Sequence, residues 1–483
     1  MSERFERRRS AASRRSRSSR GRPRLGAQGL ASRTRTIDRM RLARLMAREL
    51  VSFEDRHPRS RELFERARRS LLAGVPMNWM ARWAGPYPVF VDRATGARIW
   101  DVDGHAYADF CLGDTGSMFG HSPPVVVRAI QRQLARGITT MLPSEDSVWV
   151  GHELARRFGL PYWQIAMTAT DANRFAIRIA REVTGRPKIL VYNGCYHGTV
   201  DEALVELEEG RIRPISGSIG PPVEPSVTTK AIEFNDVPAL EAALAPRDVA
   251  AVLAEPAMTN QGIILPDPEY HRHLREATRN TGTLLIIDET HTLCEGPGGY
   301  TRAHGLRPDL ITLGKPVGSG FPAAAFGMAE GIVEPSLAKV RGEGADESGI
   351  GGTLSGNPVA AAAMRATLEH IITPAAYQKM IPLAKRWTEG VQRTIEDLEL
   401  PWHVTRLGAR AEYRFRPTPP RNGGEAIASR DVELDRFVHL YALNRGILLT
   451  PFHNMALMSP ATRARDVDHH TDVFREGAEE LVG

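Results

Sequence analysis

Three apolar runs in this chain each end on a charge. The run 249–254 leads into Glu255-Pro256, the run 283–287 into Asp288-Glu289, and the run 310–313 into Gly314-Lys315. Short continuous apolar runs read as strands buried on both faces. A charge at the end of such a strand is costly to desolvate unless something pairs with it. Either acid alone reads equally well as a helix cap or half of an internal ion pair. Two acids and a lysine at successive strand ends point instead to a shared cavity. The lysine is also scarce, because 57 arginines accompany only six lysines: Lys188, Lys230, Lys315, Lys339, Lys379 and Lys385. Arginine stays protonated in proteins and offers no nucleophilic amine, whereas a buried lysine does. Any amine chemistry therefore falls to one of six positions. An arginine-biased codon usage would produce the same scarcity without functional meaning.

A lysine and a carboxylate facing one cavity is what a pyridoxal phosphate site requires. The lysine forms a Schiff base with the cofactor, and the carboxylate keeps the pyridine nitrogen protonated so that the ring accepts electrons. Such a site also needs a phosphate cradle and a surface against the ring. Thr168-Ala169-Thr170-Asp171-Ala172-Asn173 precedes a helical pattern at 175–181. A hydroxyl-rich turn at a helix N-terminus offers free N–H groups and a favourable dipole to a dianion. Plain helix capping explains the same residues. A second cradle candidate is Gly351-Gly352-Thr353-Leu354-Ser355-Gly356-Asn357-Pro358, after a Gly-rich loop at 342–349. Tyr196, following the apolar run 188–192, could lie over a heterocycle or simply pack in the core.

The elements that must position these residues follow from the rest of the chain. Its 483 residues carry a net charge of +6, of which residues 1–36, with twelve arginines and two glutamates, hold +10 and the remainder −4. The basic character thus belongs to a tail, which argues against nucleic acid as a partner of the body. This Arg/Ser-rich tail reads as disordered, and its composition also resembles a mitochondrial transit segment. Three cysteines, none in a C-x-x-C pair, argue against a disulfide framework and a zinc site and fit a reducing compartment. No metal site is expected. No apolar run reaches the 18 residues or more of a membrane span. Helices are expected over 37–56 and 59–72, the second ending at Gly74, and a small antiparallel ribbon over 89–101. Beyond 125, helices alternating with apolar strands predict a mostly parallel sheet covered on both faces, with ligands beyond the C-terminal strand ends. The expected division is a basic tail 1–36, an N-terminal segment 37–124, a large domain 125–358 and a C-terminal small domain 359–483.

Taken in order, these motifs resemble the class III aminotransferases among the fold-type I pyridoxal phosphate enzymes. The likeness covers about 60 to 460. Its most telling stretch is Ala180-Arg181-Glu182-Val183-Thr184-Gly185-Arg186-Pro187-Lys188-Ile189 leading to Gly194-Cys195-Tyr196-His197-Gly198, joined by Phe234-Asn235-Asp236, Glu255-Pro256 with Asn260 and Gly262, Asp288-Glu289 and 308–315. Within the family the chain looks most like the glutamate-semialdehyde aminomutase branch and its β-amino-acid aminotransferase relatives. The resemblance implies an α/β fold with a mostly parallel seven-stranded sheet, and a small α+β domain built from both chain ends. It implies that Lys315 bonds the cofactor and shuttles the proton, and that Asp288 pairs with the pyridinium. It places Thr168, Ala169 and Thr170 at the phosphate, with Thr353 entering from a partner subunit of a homodimer. Tyr196 would stack on the ring with His197 beside it, Thr290 would pack on the opposite face, Asn260 would lie near the phenolic oxygen, and Glu255 would support the site from behind.

The departures are at Thr168-Ala169-Thr170, where the family has Ser-Gly-Thr, and at Thr290-His291, where it usually carries Val and then Met or a similar residue. His291 is either a substrate-facing group or a supporting one. Trp79, Arg82 and Trp83 make the substrate loop bulkier than in the aminomutase branch. Asp114 could receive a substrate amine, or cap a turn; Arg410 or Arg82 could clamp a carboxylate. The expected activity is transfer of an amino group from an amino acid or amine to a keto acid or aldehyde by ping-pong kinetics, in the cytoplasm. The alternative is an intramolecular aminomutase. A third reading is a catalytically silent fold that binds or regulates, which retention of both Lys315 and Asp288 argues against.

Overall fold

The structure is a computed structural model that describes residues 36–220, 223–341 and 348–483. The expected tail, apart from Thr36, and most of the Gly-rich loop lie outside the described residues. The large sheet has seven strands: β1 Tyr162–Ala166, β2 Lys188–Tyr192, β3 Thr229–Ile232, β4 Val249–Ala254, β5 Leu284–Asp288, β6 Leu310–Leu313 and β7 Ala324–Met328. Their order is β1-β7-β6-β5-β4-β2-β3. All neighbours are parallel except β7, which is antiparallel to both β6 and β1. Every residue of β4, β6 and β7 is buried, as the unbroken apolar runs require of strands covered by helices on both faces. Fully burying each Val, Leu or Ile side chain contributes about 1.5–3 kcal/mol.

Register brings the charged strand ends together. Ile287 pairs with Ala254, and Asp288 pairs with Thr312. Glu255, Asp288 and Lys315 therefore leave the same edge of three adjacent parallel strands, spaced about 4.8 Å apart. Facing that edge is the start of helix Ala169–Thr184. Its sequence sets both ends: the Thr168 side chain accepts from Asp171 N–H at the N-cap, and Gly185 closes it in the left-handed region. Ala172, Phe175, Ala176, Ile179 and Ala180 form its buried stripe.

The chain ends build the smaller part. Val91–Thr95, Arg98–Asp101 and Ala106–Asp109 form an antiparallel ribbon, to which Ile447–Leu448 adds in parallel. A second sheet pairs His403–Leu407, Arg410–Arg414 and Met455–Leu457. Helix Arg39–Arg56 falls within the expected 37–56. The next helix is shorter than its apolar pattern suggests: it spans Pro58–Ala67, and Gly74 ends a separate turn Leu72–Gly74. Gly74 folds back on the Phe64 ring so closely that a Cβ there would lie 2.6 Å from it. That close return stops the helix early. Among the described residues, no helix is long and apolar enough to cross a membrane.

Candidate active site

The residues around Lys315 are held by strained backbone. Asp109 accepts from the N–H groups of Cys111 and Leu112 at 2.8 and 2.9 Å and pairs with His121 at 2.7 Å. Anchored there, the chain runs through four successive residues with positive φ: Leu112, Gly113, Asp114 and Thr115. Each non-glycine residue in that region costs about 1–2 kcal/mol. The turn presents Asp114 to Lys315, itself at φ +46°. Lys315 Nζ donates to Asp114 Oδ2 at 2.8 Å and lies 2.7 Å from His291 Nε2. His291 Nδ1 lies 2.9 Å from Thr115 Oγ1 and 3.3 Å from Arg410 Nη1. Burial and then the neighbouring Lys315 charge hold the imidazole well below its ordinary pKa. Burial would raise Asp114, but the neighbouring Lys315 charge outweighs it and keeps the carboxyl well below the usual range.

Asp288 is locked from several sides. Its Oδ2 accepts from Asn173 Nδ2 and pairs with His197 Nδ1, both at 2.9 Å, and its Oδ1 accepts from Thr290 N–H at 3.0 Å. Asn173 is fixed in turn by the Thr312 hydroxyl at 2.7 Å. Burial opposes ionisation of Asp288, yet its bonds to His197 and the charge there prevail and hold the carboxyl below its ordinary value. The result is a buried, ionised acid. Glu255 is different: burial dominates and raises it. Its Oε2 accepts from the Thr259 hydroxyl, and its Oε1 has no partner among the described residues.

The proposed phosphate end is a close fit of backbones. Ala169 and Thr170 open their helix, and their N–H groups have no acceptor among the described residues. A Cβ on Gly314 would lie 2.6 Å from Ala169 Cβ, and one on Gly198, at φ +79°, would collide with Thr170 Oγ1. Thr170 Oγ1 also accepts from Thr199 N–H at 3.1 Å. Strand end, helix start and the Tyr196 loop thus converge without side chains between them. Free N–H donors at a helix start, an ionised acid and an amine fit a phosphorylated pyridine aldehyde.

Beyond Lys315 opens a cavity of about 340 Å³ that brings together Trp79, Arg82, Asp114, Tyr196, Asn260 and His291. Trp79 meets Tyr196 and Phe452 edge-on, with ring centroids 5.1 and 5.5 Å apart. Asn260 Nδ2 donates to Gly194 O at 3.0 Å. Arg410 stands behind His291, fully buried, and donates to Thr259 O at 3.1 Å. Thr353 is elsewhere: it is exposed and lines a separate surface cavity with Thr139–Leu142 neighbours and Gly352. Several residues of the site escaped sequence reading. Asn173 belongs to the hydroxyl-rich turn 168–173, whose sequence carries no sign of its role at Asp288. Glu412 and His453, which pair at 3.2 Å in the cavity wall, carried no signal beyond a polar period of two in Arg410–Arg414.

The comparisons with known proteins agree with this geometry. The profile of the family "Aminotransferase class-III" matches residues 79–474. A glutamate-1-semialdehyde 2,1-aminomutase of Sorangium cellulosum is 35% identical over 87% of this chain and 96% of its own. A structure described as a glutamate-1-semialdehyde-aminomutase from Pseudomonas aeruginosa, a lysine-to-alanine variant in complex with PMP, is 51% identical, with a TM-score of 0.90 over 92% of this chain and 99% of its own. An omega-transaminase from Sphaerobacter thermophilus is 29% identical, with a TM-score of 0.80 over 88% and 98% of the two chains. Over a fold of this type, with a lysine and an ionised aspartate at adjacent strand ends, the match leaves one conclusion: the chain belongs to the class-III aminotransferases, fold-type I enzymes whose cofactor is pyridoxal 5′-phosphate.

Proposed function

We propose that this enzyme moves an amino group between carbons of one small substrate, as an aminomutase acting on an amino-aldehyde acid of the glutamate-1-semialdehyde kind. The sequence alone favoured transfer between separate donor and acceptor molecules. Support for the intramolecular reading comes from near full-length similarity to proteins named as aminomutases. The observation that carries it in this chain is Lys315 held between Asp114 and His291, which both line the cavity, so that one amine could serve proton transfers at two neighbouring carbons.

Bound pyridoxal phosphate supplies a carbonyl carbon for the amine and an electron sink for the bond broken beside it. The chain's own residues do the rest. Lys315 would anchor the cofactor and, as a free base, would take a proton from one substrate carbon and return it to another. Asp288, kept ionised by His197 and oriented by Asn173, would hold a proton on the pyridine nitrogen. The Ala169 and Thr170 N–H groups would receive the phosphate with Thr168, and Thr353 of a second copy would complete the cradle. Tyr196 and Thr290 would flank the ring, Asn260 would lie near its phenolic oxygen, and Glu255 would support the site from behind. Arg82 binds a substrate carboxylate at the cavity rim, while Trp79 limits access of water. Transfer to an external acceptor is the second reading, favoured by the aromatic wall of Trp79, Tyr196 and Phe452, which offers apolar surface to a larger amine.

One experiment separates them. Incubation with glutamate-1-semialdehyde and no keto acid yields the rearranged amino ketone if the first reading holds. Turnover only when pyruvate or 2-oxoglutarate accompanies an amine donor establishes the second and overturns the first.

A further inference from the structure

Away from the cavity around Lys315, His57, Asp101 and His105 come together, with one ligand atom of each within 4.8 Å of the others. They belong to separate elements. His57 joins helix Arg39–Arg56 to helix Pro58–Ala67. Asp101 ends the ribbon strand Arg98–Asp101, and His105 directly precedes Ala106–Asp109. His57 and Asp101 are 1% and 2% exposed. The His105 side chain is 24% exposed and gives the group its access to solvent. Outer bonds fix which atoms face inward. Phe53 O can only accept, so His57 Nδ1, 2.7 Å away, carries a proton, and in the neutral ring Nε2 is a lone pair. Asp101 Oδ1 accepts from the N–H groups of Asp103 and His105 at 3.0 and 2.8 Å, which leaves Oδ2 for the interior. Oδ2 lies 3.5 Å from His57 Nε2 and 3.1 Å from His105 Nδ1. Tyr107 Oη stands 2.6 Å from Oδ2 and 2.9 Å from Nε2, with one hydroxyl proton for two acceptors. Given to Asp101, the shorter contact, that proton leaves the buried Nε2 lone pair facing oxygens. A cation beside Nε2 removes the deficit, and it is either a second proton on the ring or a metal ion.

We propose that His57 Nε2, Asp101 Oδ2 and His105 Nδ1 bind a divalent metal ion of the zinc class, which clips the N-terminal helices to the ribbon. Around a tetrahedral zinc with bonds of about 2.0–2.1 Å, ligand atoms stand about 3.3 Å apart, and the separations of 3.5 and 3.1 Å bracket that value. Two imidazoles and one carboxylate suit zinc and offer too few oxygens for calcium or magnesium. The outer bonds are those a metal site uses: one imidazole N–H on a backbone carbonyl, and a carboxylate oriented through its other oxygen. Tyr107 Oη is too near Oδ2 to share one zinc with it and remains the hydrogen-bond donor to the carboxylate. A water entering beside His105 takes the fourth position. Both rings bind as neutral imidazoles, His57 with its proton on Nδ1 and His105 with its proton on Nε2. The site is separate from the pyridoxal phosphate chemistry and does not depend on the function proposed above.

The test uses the full-length protein loaded with its cofactor, stripped of metal by a chelator, dialysed, and titrated with zinc chloride at neutral pH by isothermal calorimetry. The parent should take up one tight zinc per chain. With free zinc a hundredfold above its Kd, the melting temperature should rise by about 2–3 °C. His105→Gln removes the partly exposed ligand and lies outside the candidate active site. Its metal-free melt and its turnover should match the parent, while its zinc affinity falls by about a hundredfold or more, because loss of an outer-shell partner alone costs about 10–100-fold. The zinc-dependent rise in melting temperature should vanish with it. His57→Gln, which removes the buried ligand, should lose the same equivalent of zinc. A parent that binds no tight zinc would overturn the proposal and leave the cation at Nε2 as a proton alone. An equivalent of zinc that survives in both His105→Gln and His57→Gln would place the ion elsewhere and overturn it too.

Discussion

The acid at the end of β5 is worth more for its charge than for its shape. Asp288 is 3% exposed, yet it stays ionised because His197 and Asn173 both bond its Oδ2. Burial without such partners shifts a carboxyl the other way, as it does at Glu255. The contrast between two carboxylates on neighbouring strand ends fits different tasks: Asp288 would hold charge at the pyridine nitrogen, and Glu255, raised by burial, would support the site from behind. Asp288→Asn keeps the outline and an oxygen for Asn173, but loses the charge. Preorganised charge of this kind is worth about 10²–10³ in rate. We therefore expect a fall of about that size in the first half-reaction, with little change in melting temperature. Rate measurement by loss of the visible band and a thermal melt check both parts, and a variant that melts early would assign Asp288 a structural role instead.

At the scale of elements, the legible parts were those with a strong local cause. Unbroken apolar runs marked the central strands, and Thr168 followed by an amphipathic stripe marked the helix that faces them. What stayed hidden was set by tertiary packing. Strand Arg410–Arg414 alternates charge in the manner of an edge facing water, but every residue from Arg410 to Tyr413 is buried, because its polar face forms the cavity wall. The positive φ values at Leu112, Asp114 and Thr115 are equally invisible in residues that seldom adopt them. Helix Ala464–Val482 hides another such residue, His470, enclosed by Trp387, Phe110 and Phe474, with no partner for Nδ1 among the described residues. Burial pushes its pKa down to about 3, and those of His439 and His271 to about 4. These rings stay neutral in the fold, whereas the unfolded chain takes up their protons near pH 6.5. Between that pH and the folded values the unfolded state binds more protons, so stability is full above about 6.5 and declines as pH falls. His470→Phe removes one of the three. Its melting temperature should fall less between pH 6.5 and about 4 than that of the parent. Parallel acid limbs in a differential scanning calorimetry series would refute this.

For the whole molecule, the charge count separates a tail of +10 from a body of −4, so the overall basicity says nothing about the site. The body instead presents an apolar surface around the second cavity: Met141, Leu142 and Leu354 are 77%, 71% and 56% exposed, beside Thr353. An apolar patch of this kind around a turn expected to bind phosphate favours a second copy of the chain as its cover. If Thr353 serves the neighbour's site, defects in two subunits should compensate. Lys315→Ala destroys its own amine but retains Thr353; Thr353→Ala retains the amine but deprives its partner. In a mixed dimer, the Lys315 of the second variant receives the intact Thr353 of the first, and one full site is restored. Homodimers of either variant contain none. Refolding the two together should therefore return tight cofactor binding to up to half the sites of the mixed dimers, read as borohydride-stable cofactor per chain at limiting pyridoxal phosphate. If Thr353 acted within its own chain, mixing would only average the two defective parents, and a monomer by light scattering would exclude the shared site altogether.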